Sequence, residues 1–204
     1  MATKSKSKKD GGSPRMQMIA AALELATEGE WELIGLKEIA EKADVDLAEA
    51  YELFDEKVDI LAAYDRSVNR RAIENADLNE NNSCREKIFD LLMERFDILN
   101  ENRTAILNIK KSFKSDPKEA LLSFPHLGKS MARLLDASEM STKGITGALR
   151  VTGLMGLYLY TVKTWAEDES ADLAKTMAAL DKALDKCELF NNSILDKFSC
   201  SQNS

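Results

Sequence analysis

Between Leu36 and Lys57 the chain reads LKEIAEKADVDLAEAYELFDEK, and no other stretch restricts its fold as tightly. Leu36, Ile39, Ala40 and Ala43 fall at i, i+3, i+4 and i+7, which places one apolar stripe on a helix. Only Asp44 and Val45 separate it from a second short helix. Asp46 is suited to cap that helix, because its carboxylate can accept orphan amides of the first turn, and Glu49 completes the pattern of a capping box. Val45 and Ala50 take the staple positions, and Leu47, Ala50 and Phe54 share a side. Two helices joined this closely and packed on one core form a helix-turn-helix.

The remainder favours an all-α chain. Three prolines and nine glycines interrupt 204 residues that are 44% hydrophobic and 31% charged, a length that suits one domain or two small ones. A helix is expected over residues 18–31, with Ile19, Ala22, Leu23 and Ala26 as its stripe. Another continues from Lys57 to about Ala76, before the polar break Leu78 to Asn82. Ser83 and Glu86 form a second capping box ahead of Ile88, Leu91, Leu92 and Phe96. A shorter helix covers Arg103 to Phe113. Asp116-Pro117-Lys118-Glu119 signals another start, and Pro125 is expected to kink or restart that segment before Leu127 to Asp136. Residues 143–166 are the most apolar helix, and its dozen or so apolar residues fall short of the roughly 20 that span a bilayer.

Charge opposes what the helix-turn-helix suggests. The net charge is −7, and twelve acidic residues lie between Glu28 and Ile60 against Lys37, Lys42 and Lys57. Binding to a duplex draws on phosphate neutralisation and counterion release, which a carboxylate-rich face opposes. Glu can still accept from cytosine N4. Residues 1–15 run the other way, with Lys4, Lys6, Lys8, Lys9 and Arg15 against Asp10 alone. This basic, apolar-poor arm is read as disordered, either a phosphate- or groove-contacting tail or a solubilising terminus.

The spacing of Ile19, Ala22, Leu23, Ala26, Trp31, Lys37-Glu38-Ile39-Ala40, Val45, Tyr51, Phe54, Lys57 and Leu61 resembles the TetR/AcrR family of transcriptional regulators. The resemblance implies a three-helix helix-turn-helix domain over 16–62, a larger helical ligand-binding and dimerisation domain over 63–190, and a tail over 191–204. It implies DNA contacts from Lys37, Leu47, Ala48, Glu49, Tyr51, Glu52 and Lys57, with Tyr51 and Lys57 on phosphates. The chain departs from the family pattern at Gly35, Asp44, Leu47, Glu49, Glu52 and Leu53.

In such a protein the helices between residues 84 and 160 supply a pocket for an apolar small molecule or lipid. Leu92, Phe96, Ile109 and Phe113 are candidates, with Phe124, Met131, Met155 and Tyr158, and each can equally be solid core. The helices 143–166 and Ala171 to Cys187 would pair in a homodimer, with Gly153, Gly156, Met177, Leu180 and Leu184 at the interface; an internal core helix is the plain alternative.

Near the C-terminus, Trp165, Asp168, Ser170, Asp172, Thr176, Leu180 and Leu184 resemble the lipid-binding proteins of ubiquinone biosynthesis, which share the TetR fold. Ser170 also serves as an N-cap and Asp172 as a first-turn charge. Leu189, Phe190, Ile194, Leu195 and Phe198 fit one face of a short amphipathic helix, whose polar side is not basic.

Chemistry is not written into the chain. Cys84, Cys187 and Cys200 are widely spaced and His126 is the single histidine, so neither a disulfide framework nor a metal site is indicated, and a reduced cytoplasm is the expected compartment. His126 is read as structural. No nucleophile with its base and no glycine-rich phosphate loop is found, so no cofactor and no enzymatic activity are expected. Two readings remain: a homodimeric regulator that binds DNA and an apolar ligand, and a lipid-binding protein that kept the fold without the operator.

Overall fold

The computed structural model describes residues 12–115 and 117–199, with side chains as far as Lys186. Described residues form α-helices and no strands. Helix α1 (Pro14–Glu28) begins ahead of the expected residue 18, because Pro14 supplies a preset φ where a missing amide costs nothing. It ends at Gly29, whose amide donates to the Leu25 carbonyl at 3.0 Å. Trp31 lies beyond it in a 3-10 turn, Trp31–Leu33.

Helix α2 (Leu36–Ala43) is entered at Gly35, whose amide donates to the Glu38 carboxylate at 2.9 Å. It is left through Asp44 at φ 54° and ψ 38°, a left-handed conformation that Asp tolerates better than most residues. Asp46 then caps α3 (Leu47–Leu53) by accepting the Ala48 amide at 2.8 Å. The reciprocal bond expected from Glu49 is not made, so this is an Asp cap and not a capping box. Ser83 and Glu86 do form the box that opens α5 (Cys84–Asn100).

The other helices are α4 (Lys57–Asn75), α6 (Arg103–Ser112), α7 (Pro117–Ala137), α8 (Gly144–Glu167) and α9 (Ala174–Ser199). Pro125 does not divide α7. Proline there leaves the Leu121 carbonyl without its helical donor, and because Leu121 and Pro125 are both exposed, water can supply it. Among the described residues no helix is long and apolar enough to cross a membrane.

The chain divides into two compact units: residues up to Tyr64 with Asn102–Ala120, and Asp65–Glu101 with Leu121 onward. Within the first, α1 packs on α2 and α6. Ala21, Ala22 and Ala26 are small enough to permit the close approach, and Asn108 Nδ2 donates to the Ala26 carbonyl at 2.9 Å, satisfying an acceptor that the end of α1 leaves open. Met18, Trp31, Ile39, Ala50 and Phe54 complete this core.

In the second unit, α5 contributes Leu91, Leu92, Phe96 and Leu99, α7 contributes Met131, Leu134 and Leu135, and α8 contributes Leu154, Leu157, Tyr158 and Trp165, all buried. Phe96 stacks on Tyr158 and on Trp165, with ring centroids 5.6 and 6.2 Å apart. The turn into α9 is tied by Asp168, which accepts the Thr176 amide and hydroxyl, both at 2.8 Å, and the Ser170 amide at 3.1 Å. Ser170, expected as the N-cap, instead accepts the Ala174 amide at 3.0 Å as one member of this network. Burial works to raise the Asp168 carboxyl, but the bonds from Ser170 and Thr176 outweigh it and hold the group well below the ordinary carboxylate range.

Candidate functional site

Helix α3 turns its two faces to different surroundings. Ala50 is buried and is followed by buried Phe54, whereas Leu47, Ala48, Glu49, Tyr51 and Glu52 are exposed, Tyr51 by 56%. Leu47, expected to share the buried side, therefore lies on the outer face. It stands one helical turn before Tyr51, and together they give that face an apolar and aromatic edge beside two carboxylates.

The three lysines of the helix-turn-helix segment each have a carboxylate partner. Lys37 Nζ lies 3.9 Å from Glu41 on the helix surface. Lys42 bridges Glu24 at 2.7 Å and Glu28 at 3.4 Å; its hydrogen bond to Glu24 raises the affinity of the amine for its proton. Lys57 is engaged most deeply. Its side chain is 18% exposed, donates to the Trp31 carbonyl at 2.9 Å, stands 4.9 Å from the centroid of the Trp31 ring, and lies 3.4 Å from Glu119. Glu119, 5% exposed, also accepts from Trp31 Nε1 at 2.8 Å.

Lys37, Lys42 and Lys57 are thus each paired within the first unit, and the Glu38 carboxyl is kept below its usual range by the backbone amides of Glu38 and Gly35. Arg15, 4.6 Å from the centroid of the Phe54 ring, brings the end of the basic arm to the C-terminal end of α3. Residues 1–11 of that arm lie outside the described residues.

The fold has counterparts among solved structures. A TetR transcriptional regulator from Nitrosomonas europaea ATCC 19718 superposes with a TM-score of 0.63 at 22% identity, over 84% of this chain and 96% of that one. The fatty acid degradation regulator FadR from Bacillus halodurans gives 0.57 at 19% identity, over 86% and 97%. A TetR transcriptional regulator from Rhodococcus sp. RHA1 gives 0.54 at 18%, over 84% and 94%. The chain has the TetR fold. No family model matches it, and no curated protein matches its sequence.

Within this TetR fold the expected ligand residues separate. Leu92, Phe96, Met131 and Tyr158 sit together in the second unit as packed interior, and Met155 is half-buried beside them on α8. Phe124 is exposed, and Ile109 and Phe113 belong to the first unit. A recess of about 320 Å³ in the second unit is lined by Asn82, Arg85, Glu86, Phe89, Asp90 and Asp181, none of them among the expected ligand residues. Arg85 is clamped there by Asp181 and Asp185 at 2.7 and 2.5 Å.

The expected interface residues also divide. Leu180 and Leu184 are buried, whereas Gly153, Gly156 and Met177 are exposed, and a Cβ at either glycine would meet nothing within 4 Å. Ile145 (84% exposed), Leu149 (67%), Thr152, Gly153, Gly156 and Tyr160 follow one another at helical spacing along the outer face of α8. Of the ubiquinone-related pattern, Trp165, Asp168, Thr176, Leu180 and Leu184 act locally as core and capping groups, Ser170 joins the Asp168 network, and Asp172 is exposed. The side chains of Leu189, Phe190, Ile194, Leu195 and Phe198, and those of Cys187 and Cys200, lie outside the described residues.

Sequence reasoning did not single out Arg95 or assign Glu119 a partner. Arg95 left a signal, since it falls among Leu91, Leu92, Phe96 and Leu99 on the apolar stripe of α5. Glu119 left none beyond its place in the first turn of α7.

Proposed function

We propose that this chain is a homodimeric DNA-binding regulator that responds to an apolar small ligand. The observation that carries the reading is the outer face of α3. A left-handed turn at Asp44 and a cap at Asp46 hold a short helix whose buried side is Ala50 and Phe54, leaving Leu47, Ala48, Glu49, Tyr51 and Glu52 together and unburied. A helix presented in this way can enter a major groove, with Tyr51 near a phosphate and Glu49 or Glu52 as an acceptor for cytosine N4.

Dimerisation supplies what one acidic head lacks. Two heads held about 34 Å apart meet successive major grooves, and a ligand that changes their spacing changes affinity. The outer face of α8 is the proposed seam, because Ile145, Leu149 and Tyr160 leave apolar surface in water and the two glycines leave room for a partner helix. The relatives' names supply the rest of the reading: they are regulators, and one is a regulator of fatty acid degradation.

The test is binding of the purified chain to its own upstream DNA across a salt series. Salt-sensitive, sequence-selective binding supports the regulator; equal affinity for random duplex rejects it. A second reading, a lipid-binding protein of the same fold that reads no operator, is favoured by the pairing of Lys37, Lys42 and Lys57 with carboxylates. Its mark is a stoichiometric co-purifying lipid in a protein without DNA preference.

A further inference from the structure

The interior of the second unit contains a guanidinium. Arg95 on α5 is 2% exposed, and its donors are unevenly used. Nη1 donates to Asn69 Oδ1 and, at 3.3 Å, to Ser130 Oγ, while Asn69 Nδ2 donates to the same hydroxyl at 2.6 Å. Nη2 donates to Asp65 Oδ1 and, at 3.3 Å, to the Tyr158 hydroxyl. Nε is buried and has no acceptor. The edge formed by Nε and Nη2 is the one on which a guanidinium binds a carboxylate side-on through two parallel bonds, and here it is half used. A buried N–H with no acceptor leaves its desolvation uncompensated, so the position is unusual for a group with a purely structural role.

Three further features surround this edge. Arg95 Cζ stands 4.9 Å from the centroid of the Tyr158 ring, at the end of the aromatic column that continues through Phe96 to Trp165. The helices that carry the polar groups also carry Leu92 and Met131, fully buried, and α8 adds Met155 one turn before the end of that column; Met side chains adapt readily to a changed interior. The resident counter-ion is the least enclosed member of the cluster, since the Asp65 side chain is 25% exposed.

We propose that Arg95 is the headgroup anchor of an internal site for an apolar carboxylic acid, whose carboxylate takes the Nε and Nη2 donors in place of Asp65. The exchange conserves charge: one carboxylate replaces another on the guanidinium, and Asp65 moves into the water it already reaches. Asn69 and Ser130 hold Nη1 and fix the plane of the fork, Tyr158 adds a hydroxyl to the bound carboxylate, and the apolar body enters beside the aromatic column only as Leu92, Met131 and Met155, which fill that interior, move aside. The site rests on the ligand-binding half of the proposed function and gives that ligand its chemical class.

The test uses the full chain titrated with sodium octanoate, octanol and octylammonium, followed by tryptophan fluorescence and by melting temperature. Octanoate is expected to bind saturably and at least about tenfold more tightly than the other two, the difference that a charged hydrogen-bonded headgroup makes. Asp65→Asn, which removes the competing carboxylate, is expected to tighten octanoate binding by about tenfold and to be thermally rescued by it more than the wild type is. Tyr158→Phe is expected to weaken octanoate and leave octanol unchanged.

Equal binding of octanoate and octanol overturns the proposal, because a buried water on Nε gives no preference between them. So does an octanoate affinity that Asp65→Asn leaves unchanged or weakens, since a purely structural pair predicts loss and not gain. DNA binding measured on the same samples without any carboxylate separates the two readings: selective DNA binding with no octanoate preference rejects the site alone, and the converse rejects the regulator alone.

Discussion

Replacing Glu119 by Ala tests whether the first unit depends on its buried polar cluster. The carboxylate accepts from Trp31 Nε1, which belongs to a fully buried side chain, and faces Lys57 Nζ at 3.4 Å. Breaking a sealed ion pair from one side costs about 3–5 kcal/mol, because the remaining charge is left unpaired. Lys57 is 18% exposed and keeps its bond to the Trp31 carbonyl, which lowers the expected loss to about 2–3 kcal/mol once the orphaned indole N–H is included. For a chain of this size that corresponds to a fall of roughly 5–10 °C in melting temperature.

Glu119→Gln retains an acceptor for the indole and loses only the charge, so about half the effect is expected. Adding Lys57→Met to that variant should recover stability, since an apolar isostere of a buried pair is often neutral, and the cycle should show a coupling of at least about 1 kcal/mol. Urea unfolding followed by tryptophan fluorescence measures the wild type, Glu119→Ala, Glu119→Gln, Lys57→Met and the Glu119→Gln with Lys57→Met double variant. A loss below about 0.5 kcal/mol for Glu119→Ala, the range of an ordinary surface substitution, would refute the assignment of this cluster as buried and coupled.

Other consequences are open to simpler measurements. Glu49→Lys combined with Glu52→Lys should raise nonspecific duplex affinity and steepen its salt dependence if α3 docks; unchanged binding in fluorescence anisotropy rejects that docking face. Ile145→Glu with Leu149→Glu should halve the mass seen by light scattering while leaving the helical circular dichroism intact, and a wild type that is already monomeric removes the seam. Asp46→Ala should cost about 1 kcal/mol by loss of the α3 cap, read as a lower urea midpoint at unchanged slope. The Asp168 carboxyl is depressed in the folded chain, so its contribution is present above the unfolded value of about 4 and is lost progressively as pH falls from there toward the lower folded value. Asp168→Asn should flatten that part of the acid unfolding curve, and an unaltered curve would count against the network.

The helix-turn-helix was legible because its signals are short-range. The stripe Leu36, Ile39, Ala40, the cap at Asp46 and the box at Ser83 and Glu86 each depend on residues within about one turn of one another. Where a local signal was over-read, the error was also local. Glu49 matched a box pattern of which only the Asp46 cap forms, and of the kink or restart expected at Pro125 the restart is not made. Leu47 was given to the core by periodicity, yet α3 is so short that its first residue clears the buried face.

By itself, then, the sequence determined the helical class, the caps at Asp46 and Ser83, and the two-residue junction at Asp44 and Val45. Tertiary structure decided the fate of the charges. Lys57 reads along the chain as a free cation and proves to be held by Trp31 and by Glu119 from a distant helix, while Arg95 reads as a misplaced charge on an apolar stripe and gathers partners from α4, α7 and α8. Helix geometry and capping follow from neighbours in sequence, whereas the pairing of a buried charge follows from which helix faces meet, and no periodicity within one segment carries that information.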